Sequence, residues 1–194
     1  MKETNPNEPL APETKSTISR YDRIHFGIIR IFHETLYGLF VNPFEKLNAA
    51  EVRQGKRVLE IGCGPGYFTI PAAEIVGAKG HVNALDINPA AVEYVRRKVQ
   101  RLGKKNIDVM LAGAGATGLP EGSVDVAFLF GVIHAFPNLH EVFTEMHRAL
   151  KPNGKLSIQS RRSEEQLTDS VTSTGLFHFE EKNRGVTVFT KLTK

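Results

Sequence analysis

The sequence predicts an α/β protein in which a mostly parallel β-sheet carries helices on both faces. Two observations support this prediction: short apolar segments alternate with amphipathic ones along most of the chain, and two closely spaced strand-like segments end it. The alternation is typical of parallel strands joined by crossover helices, whereas the short final link indicates an antiparallel hairpin. A composition of 41% hydrophobic and 24% charged residues agrees with a folded globular domain and excludes a disordered or fibrous chain.

The N-terminal part predicts a tail followed by helices. Met1–Thr17 is polar and contains three prolines, which indicates a disordered tail and not a secretory signal. From Ile18 to Phe40 apolar residues recur at helical spacing, so we expect one or two amphipathic helices that end near Asn42-Pro43. We assign residues 18–47 to an N-terminal helical cap.

The remaining elements follow in regular order. Short apolar or alternating runs predict strands at Arg57–Ile61, His81–Leu85, Ile107–Leu111, Val124–Phe130, Lys155–Gln159, Leu176–Glu181 and Val186–Leu192. Helical periodicity and cap residues predict helices at Tyr67–Val76, Pro89–Leu102, Asn138–Leu150 and Ser163–Ser173. The last helix begins with the capping box Ser163-Glu164-Glu165-Gln166, and Lys182–Gly185 links the two final strands.

A glycine-rich loop follows the first predicted strand, in Val58-Leu59-Glu60-Ile61-Gly62-Cys63-Gly64-Pro65-Gly66. A strand that runs into such a loop before a helix brings the backbone close to a ligand, where only small residues avoid a clash. Asp86 ends the second strand, and a carboxylate there can accept hydrogen bonds from both hydroxyls of a ribose. The neighbouring Ile87 offers an apolar face for a base.

Two residues argue against a dinucleotide cofactor at this loop. The dinucleotide fingerprint has Gly or Ala at its sixth position, where the helix packs on the strand beside the pyrophosphate; Tyr67 stands there. Glu60 would repel a pyrophosphate and suits a ligand that carries an ammonium group. A nicotinamide-dependent reductase is therefore disfavoured.

These motifs resemble the class I methyltransferases dependent on S-adenosyl-L-methionine (SAM), in particular the small-molecule group that includes the ubiquinone and menaquinone methyltransferases. The similarity runs from about Asn42 to the C-terminus, in the segments VLEIGCGPG (58–66), ALDINP (84–89), LPEGSVDVAFLFGVIHAFPN (119–138) and ALKPNGKLSI (149–158). It implies a three-layer, Rossmann-like sandwich with a seven-stranded sheet, an antiparallel C-terminal strand, and a methyltransferase domain over residues 48–194.

The resemblance also implies a cofactor and a reaction. SAM would be bound and S-adenosyl-L-homocysteine (SAH) released, with the methyl group moving to a nucleophilic atom of a small acceptor by in-line displacement. The residues that we expect to bind SAM are Glu60, Gly62, Cys63, Gly64, Gly66, Asp86, Ile87, Gly115, Ala116 and Phe130. In this family Cys63 is a small residue that allows close approach, and not a nucleophile.

One position departs from the family pattern. The family usually has an acid five residues before the proline of its Leu-Pro pair, where the acid meets the adenine amino group; the residue here is Gly115. Losing a hydrogen bond to a charged acceptor costs about 1.5–3 kcal/mol if nothing replaces it. We therefore expect that SAM binding could be weakened, which leaves a non-catalytic SAM-binding protein as an alternative.

Residues for the acceptor are harder to identify, because a sulfonium methyl is already activated and a base is optional. His134 follows the fourth strand and is our candidate base; packing beneath the next helix is the alternative. Tyr21 and His25, in the helical region, and Arg161, after the fifth strand, are candidate substrate contacts, with packing or solvent exposure as the alternative for each.

Other features set the expected partners. His134, His140 and His147 lack a metal-ligand pattern, so we expect no metal. The net charge of +4 is mild, and the basic run over 96–105 is more typical of a solvated helix face than of RNA contact, which leaves an RNA methyltransferase as a minor alternative. One cysteine and no apolar run of membrane-spanning length indicate a cytoplasmic protein. The length of 194 residues leaves room only for a small acceptor. We expect a monomer or homodimer.

Overall fold

A computed structural model describes residues 18–31 and 41–193 of the chain. The predicted tail Met1–Thr17 and residues 32–40 of the predicted N-terminal helical region lie outside the described residues, as do the side chains of Tyr21 and His25. The statements below concern the described part alone.

The described residues contain seven strands and six α-helices. The strands are β1 Arg57–Ile61, β2 His81–Asp86, β3 Ile107–Leu111, β4 Val124–Phe130, β5 Leu150–Gln159, β6 Phe177–Asn183 and β7 Val186–Lys191. The helices are α1 Arg20–Ile31, α2 Pro43–Ala49, α3 Thr69–Val76, α4 Pro89–Arg101, α5 Leu139–Ala149 and α6 Glu164–Thr172. A short 3₁₀ turn, Ile133–Ala135, lies between β4 and α5.

The strands form one sheet in the order β3-β2-β1-β4-β5-β7-β6. Strands β1 to β5 are parallel to one another, whereas β7 is inserted antiparallel between β5 and β6. The predicted fold class is thereby confirmed: a mostly parallel, seven-stranded sheet with an antiparallel C-terminal strand and helices on both faces.

Alternate residues of each central strand enter two separate layers of core. On one face Val58 and Phe128 pack with residues of α2, α3 and α4. On the other face Leu59 and Leu129 pack with residues of α5 and α6. Burial on both faces explains why these strands are almost continuously apolar. Glu60, which follows Leu59, has the same orientation as Val58 and therefore faces α3.

The structure corrects three of the predicted boundaries. Asn42-Pro43 begins a helix: the Asn42 side chain accepts hydrogen bonds from the N–H groups of Phe44 and Glu45, and α2 follows. Strand β5 begins at Leu150, five residues before its predicted start, with a register shift against β4. The hairpin turn is two residues long, with positive φ angles of 49° and 75° at Arg184 and Gly185, the signs of a type I′ turn.

Four of the six basic residues on and after α4 have partners within the protein, including Lys98, which donates to the Pro65 carbonyl. Arg96 donates to the Val109 carbonyl, Arg97 pairs with Glu93, and Lys104 pairs with Glu74. Charges that already have partners on their own surface contribute less to a nucleic-acid footprint, in agreement with the interpretation of this run as an ordinary helix face.

Candidate functional site

The predicted ligand residues meet at the carboxyl edge of the sheet. Strands β3, β2, β1 and β4 are adjacent in that order, so the segments that follow them lie side by side. These segments are the glycine loop after β1, Asp86 and Ile87 after β2, residues 112–116 after β3, and Phe130 with the turn after β4. Ligands of open parallel sheets bind in the crevice at this edge.

The glycine loop is held against the end of β2 by its own backbone. The N–H groups of Gly62 and Cys63 both donate to the Leu85 carbonyl, at 2.7 and 3.0 Å. Gly62 has a φ of +75°, and a Cβ atom there would lie 2.7 Å from Cγ1 of Val132. Glycine is thus required at this position by both conformation and space.

Asp86 joins the loop to the next helix. Its carboxylate accepts hydrogen bonds from the N–H of Gly64 at 2.9 Å and from the N–H of Asn88 at 2.8 Å. Its carbonyl accepts from the N–H of Ala112 at 3.1 Å, which ties the segment after β3 to the same point. Ile87 beside it is 72% exposed, an apolar surface next to a fixed carboxylate.

Glu60 is buried under the loop. It is 2% exposed, and its Oε2 accepts a hydrogen bond of 2.6 Å from the hydroxyl of Thr69 in the first turn of α3. Burial raises the pKa of this carboxyl to about 8, with the nearby Asp86 acting in the same direction and Thr69 and Lys98 against it. The group is therefore mainly protonated at neutral pH, and a cation placed beside it would favour its ionised form.

Cys63 and Phe130 both pack in the core layer on the α3 side of the sheet. Cys63 is 4% exposed, and burial raises the pKa of its thiol, so the thiolate that a nucleophile requires is disfavoured. Phe130, half-buried at the end of β4, has its ring centroid 4.8 Å from those of Phe68 and Phe128. A Cβ atom on Gly64 would meet nothing within 4 Å, which leaves space above the loop.

The segment after β3 is anchored on α5. Glu145 accepts from the N–H and the hydroxyl of Thr117, at 2.9 and 2.5 Å, and pairs with Arg148 at 2.7 Å. The hydrogen bond from Arg148 is the main reason that the pKa of Glu145 falls to about 2, and Thr117 contributes as well. Gly115 and Ala116 lie in a turn closed by the hydrogen bond from Ala116 N–H to the Gly113 carbonyl.

The candidate acceptor residues are less defined. His134 lies exposed in the 3₁₀ turn after β4, and Arg161 lies exposed after β5. Neither side chain makes a hydrogen bond or ion pair with a described residue. The backbones of Tyr21 and His25 belong to α1, but their side chains lie outside the described part, so their candidate roles stay predictions.

Two contacts to the glycine loop were missed by sequence reasoning. The Tyr67 hydroxyl donates to the Val41 carbonyl at 2.5 Å, and the Lys98 ammonium donates to the Pro65 carbonyl at 3.3 Å. From the sequence, Tyr67 is interpreted only as evidence against a dinucleotide cofactor, and Lys98 only as part of a basic run. No local pattern marks either contact, because each joins segments more than 20 residues apart in the chain.

Two kinds of feature are not found within the described ranges. No helix there is long and apolar enough to cross a membrane. The same residues contain no group of three or more His, Cys, Asp or Glu side chains arranged to hold a metal ion.

The chain is similar to methyltransferases over most of its length. It is 30% identical over 113 residues to the demethylmenaquinone methyltransferase of Listeria welshimeri, which covers 58% of this chain and 48% of that protein. It is 40% identical over 80 residues to the aklanonic acid methyltransferase DauC of Streptomyces sp. strain C5, and this match covers 41% of this chain and 36% of that protein. The chain thus spans about half or less of the length of these relatives.

A solved structure has the same fold. The crystal structure of a SAM-dependent methyltransferase from Aquifex aeolicus aligns with a TM-score of 0.77 at 22% identity, over 87% of this chain and 98% of that one. The family model described as "Methyltransferase domain" matches residues 53–189. The resemblance found in the sequence motifs is thereby confirmed, and the chain belongs to this family of methyltransferase domains.

Proposed function

We propose that this protein binds SAM at the carboxyl edge of β1–β4 and transfers its methyl group to a nucleophilic atom of a small molecule. The observation that carries the proposal is the meeting of the glycine loop with Asp86, whose carboxylate accepts the Gly64 N–H at 2.9 Å. Membership of the methyltransferase-domain family supports the same conclusion.

The residues at this edge fit the chemical groups of SAM. A carboxylate has about four acceptor positions, so Asp86 can accept ribose hydroxyls as well as backbone N–H groups. The open space at Gly64 would take the methionine part of the cofactor. Glu60 lies buried beneath that part of the loop, where its ionised form would balance the cofactor's ammonium group.

The protein's own contribution to methyl transfer is mainly positional. SAM, when bound, supplies a methyl group on a positively charged sulfur, so a nucleophile attacks in line and the C–S bond electrons pass to sulfur. The chain must hold the acceptor atom about 3–3.5 Å from that carbon. We propose His134 as the base for an acceptor that must lose a proton, because it lies at the end of β4 on the same edge.

A small acceptor is supported by the architecture and by the relatives. Within residues 53–189 the loops after β4 and β5 are short, which leaves little chain to form a macromolecular binding surface. Two relatives are named for demethylmenaquinone and aklanonic acid. We propose that α1 forms part of the cap over this edge, because the Asp22 carbonyl accepts from the Asn88 side chain and Phe26 packs on Ala90.

Two further expectations belong to the same proposal. A single cysteine is consistent with a reducing, cytoplasmic location. We also propose that the protein is a monomer or homodimer, which sedimentation equilibrium would test directly; larger assemblies would contradict this.

Binding experiments test the cofactor assignment. Calorimetry should detect binding of SAM and SAH and no binding of NADH. Asp86→Ala should weaken SAH by at least tenfold, because a charge-assisted hydrogen bond contributes about 1.5–3 kcal/mol. Asp86→Asn, which keeps one acceptor oxygen, should lose less. Asp108→Ala is a matched control, because it removes an exposed aspartate of the neighbouring strand whose only described partner is His81.

The outcomes separate the possibilities. Failure of both SAM and SAH to bind would refute the proposal, and unchanged SAH affinity in Asp86→Ala would refute the ribose assignment. Turnover is then measured as SAH formation with phenolic, quinol and thiol acceptors. Binding without turnover on any acceptor would favour the non-catalytic alternative.

A further inference from the structure

Glu141 occupies the space beside Gly115. A Cβ atom placed on Gly115 would lie 2.6 Å from Oε1 of Glu141 and 2.8 Å from its Cδ and Cγ. The carboxylate thus stands where a side chain of residue 115 would begin. Because any larger residue at 115 would displace it, glycine at this position and the observed placement of Glu141 go together.

The carboxylate is positioned by a well-defined helix start. Glu141 lies in the first turn of α5, and its N–H donates to the Asn138 side chain at 3.3 Å. Its own side chain makes no ion pair or hydrogen bond with a described residue. It is exposed and lines a depression of about 450 Å³ together with Gly115, so its carboxylate is accessible from solvent.

The position of Asp86 indicates what this carboxylate would meet. The Asp86 carbonyl accepts from Ala112 N–H, so the turn at 113–116 begins one residue beyond a residue bound to the proposed ribose site. A base attached to that ribose would be within reach of the turn that carries Gly115. The exocyclic amino group of adenine offers only donors, and an ionised carboxylate offers only acceptors.

We propose that the Glu141 carboxylate, at the start of helix α5, accepts a hydrogen bond from the adenine amino group of the cofactor. It thereby supplies the acceptor that a glycine at position 115 lacks. The inference rests on the proposed function, and it names the residue that gives the site its preference for a 6-amino purine. A glycine at position 115 cannot make this hydrogen bond, and Glu141 provides it instead.

The test uses two ligands that differ in one group. SAH carries the 6-amino group, and S-inosyl-L-homocysteine carries a 6-oxo group and an N1–H in its place. The wild-type protein should prefer SAH by about tenfold or more, the range for a charge-assisted hydrogen bond. In Glu141→Gln, whose amide both donates and accepts, the preference should fall to about threefold or less.

Matched variants control for stability and for charge. Glu165→Gln removes an exposed acid from the first turn of α6 and should leave both affinities unchanged. In a Glu141→Ala background, Gly115→Asp should restore at least half of the lost SAH affinity on a logarithmic scale, because space for its side chain has been vacated. Urea unfolding of each variant should show unchanged stability, since the Glu141 side chain makes no described bond.

The outcomes are distinct from those of the proposed function. If the wild-type protein binds neither SAH nor SAM, the proposed function itself fails. If it binds SAH but shows no preference over the inosyl analogue, or if Glu141→Gln retains the preference, Glu141 does not read the base. Retention of SAH affinity in Glu141→Ala would overturn the inference in the same way.

Discussion

The buried carboxyl of Glu60 should make the protein less stable as the pH rises through neutrality. Its pKa is about 8 in the folded protein against 4.5 for an unperturbed group. Between these values the folded state binds more protons than the unfolded chain, so the free energy of unfolding falls as pH increases. The difference between these two pKa values corresponds to about 5 kcal/mol over the whole pH window.

The change falls largely within an accessible pH range. Integrating the linkage relation for these two pKa values gives a loss of about 2 kcal/mol between pH 6 and pH 8. Glu60→Gln removes the titration but keeps an acceptor for the Thr69 hydroxyl. The stability difference between the variant and the wild-type protein should therefore grow in favour of Glu60→Gln by about 2 kcal/mol from pH 6 to pH 8.

Urea unfolding at pH 6, 7 and 8 measures this difference, in which the other titrating groups cancel. A variant curve that stays parallel to the wild-type curve across this range would show that Glu60 does not retain its proton on folding. Ligand binding provides an independent readout. If the cofactor's ammonium lies beside Glu60, SAH binding at pH 7 should release a proton, detected by calorimetry in two buffers, and Glu60→Gln should release none.

Three other changes have expected outcomes. Glu145→Ala should lower the free energy of unfolding by about 2 kcal/mol, because the buried Thr117 N–H loses its partner; urea unfolding at pH 7 checks this. The stability difference between wild type and variant should shrink as pH falls from 4.5 toward 2, because the wild-type carboxyl itself becomes protonated there. Gly62→Ala should destabilise the fold by about 1–3 kcal/mol through overpacking, in addition to the strain of an alanine at its positive φ. Gly64→Ala shares only that backbone strain, because its Cβ meets no protein atom, and it should mainly weaken SAH binding; equal stability losses would contradict this. Asn42→Ala should cost about 1 kcal/mol as a lost N-cap, measured by thermal unfolding.

The central strands could be predicted because local pattern and tertiary environment agree. Most positions of strands β1 and β4 are buried, on both faces of the sheet. These positions favour apolar residues, so the apolar runs are visible without knowledge of the fold. The same holds for α4 and α6, whose caps Asn88 and Ser163 are local signals. Sequence reasoning was accurate where the determinants of an element lie within it.

The errors have a corresponding cause. Asn42-Pro43 carries the same signal as Asn88-Pro89, a capping side chain before a proline at the first helical position. It was interpreted as a helix end because the apolar periodicity before it was given more weight. The early start of β5 at Leu150 was missed because the extra residues pair with β4 only across a register shift, which depends on the neighbouring strand.

In the candidate site too, features set by neighbouring residues in the sequence were easier to predict than features set by distant ones. The glycine loop and Asp86 could be predicted as candidates from the sequence, because close backbone approach and a strand-end carboxylate each involve only a few consecutive residues. The environment of Glu60 could not, because its raised pKa arises from burial and from Asp86, 26 residues away.

The departure from the family pattern at Gly115 shows most clearly what sequence alone does not predict. From the sequence, an acid replaced by glycine indicates a lost contact and a weakened ligand. In the structure, the absence of a side chain at 115 is what allows Glu141, 26 residues later, to place its carboxylate at that point. A substitution that removes a functional group can therefore also create the space for its replacement, and only the three-dimensional arrangement distinguishes the two. To decide whether the contact at position 115 is lost or replaced, Glu141→Ala is compared with the double variant Glu141→Ala and Gly115→Asp. Rescue of SAH affinity in the double variant requires that both side chains serve the same ligand group from opposite sides of one gap.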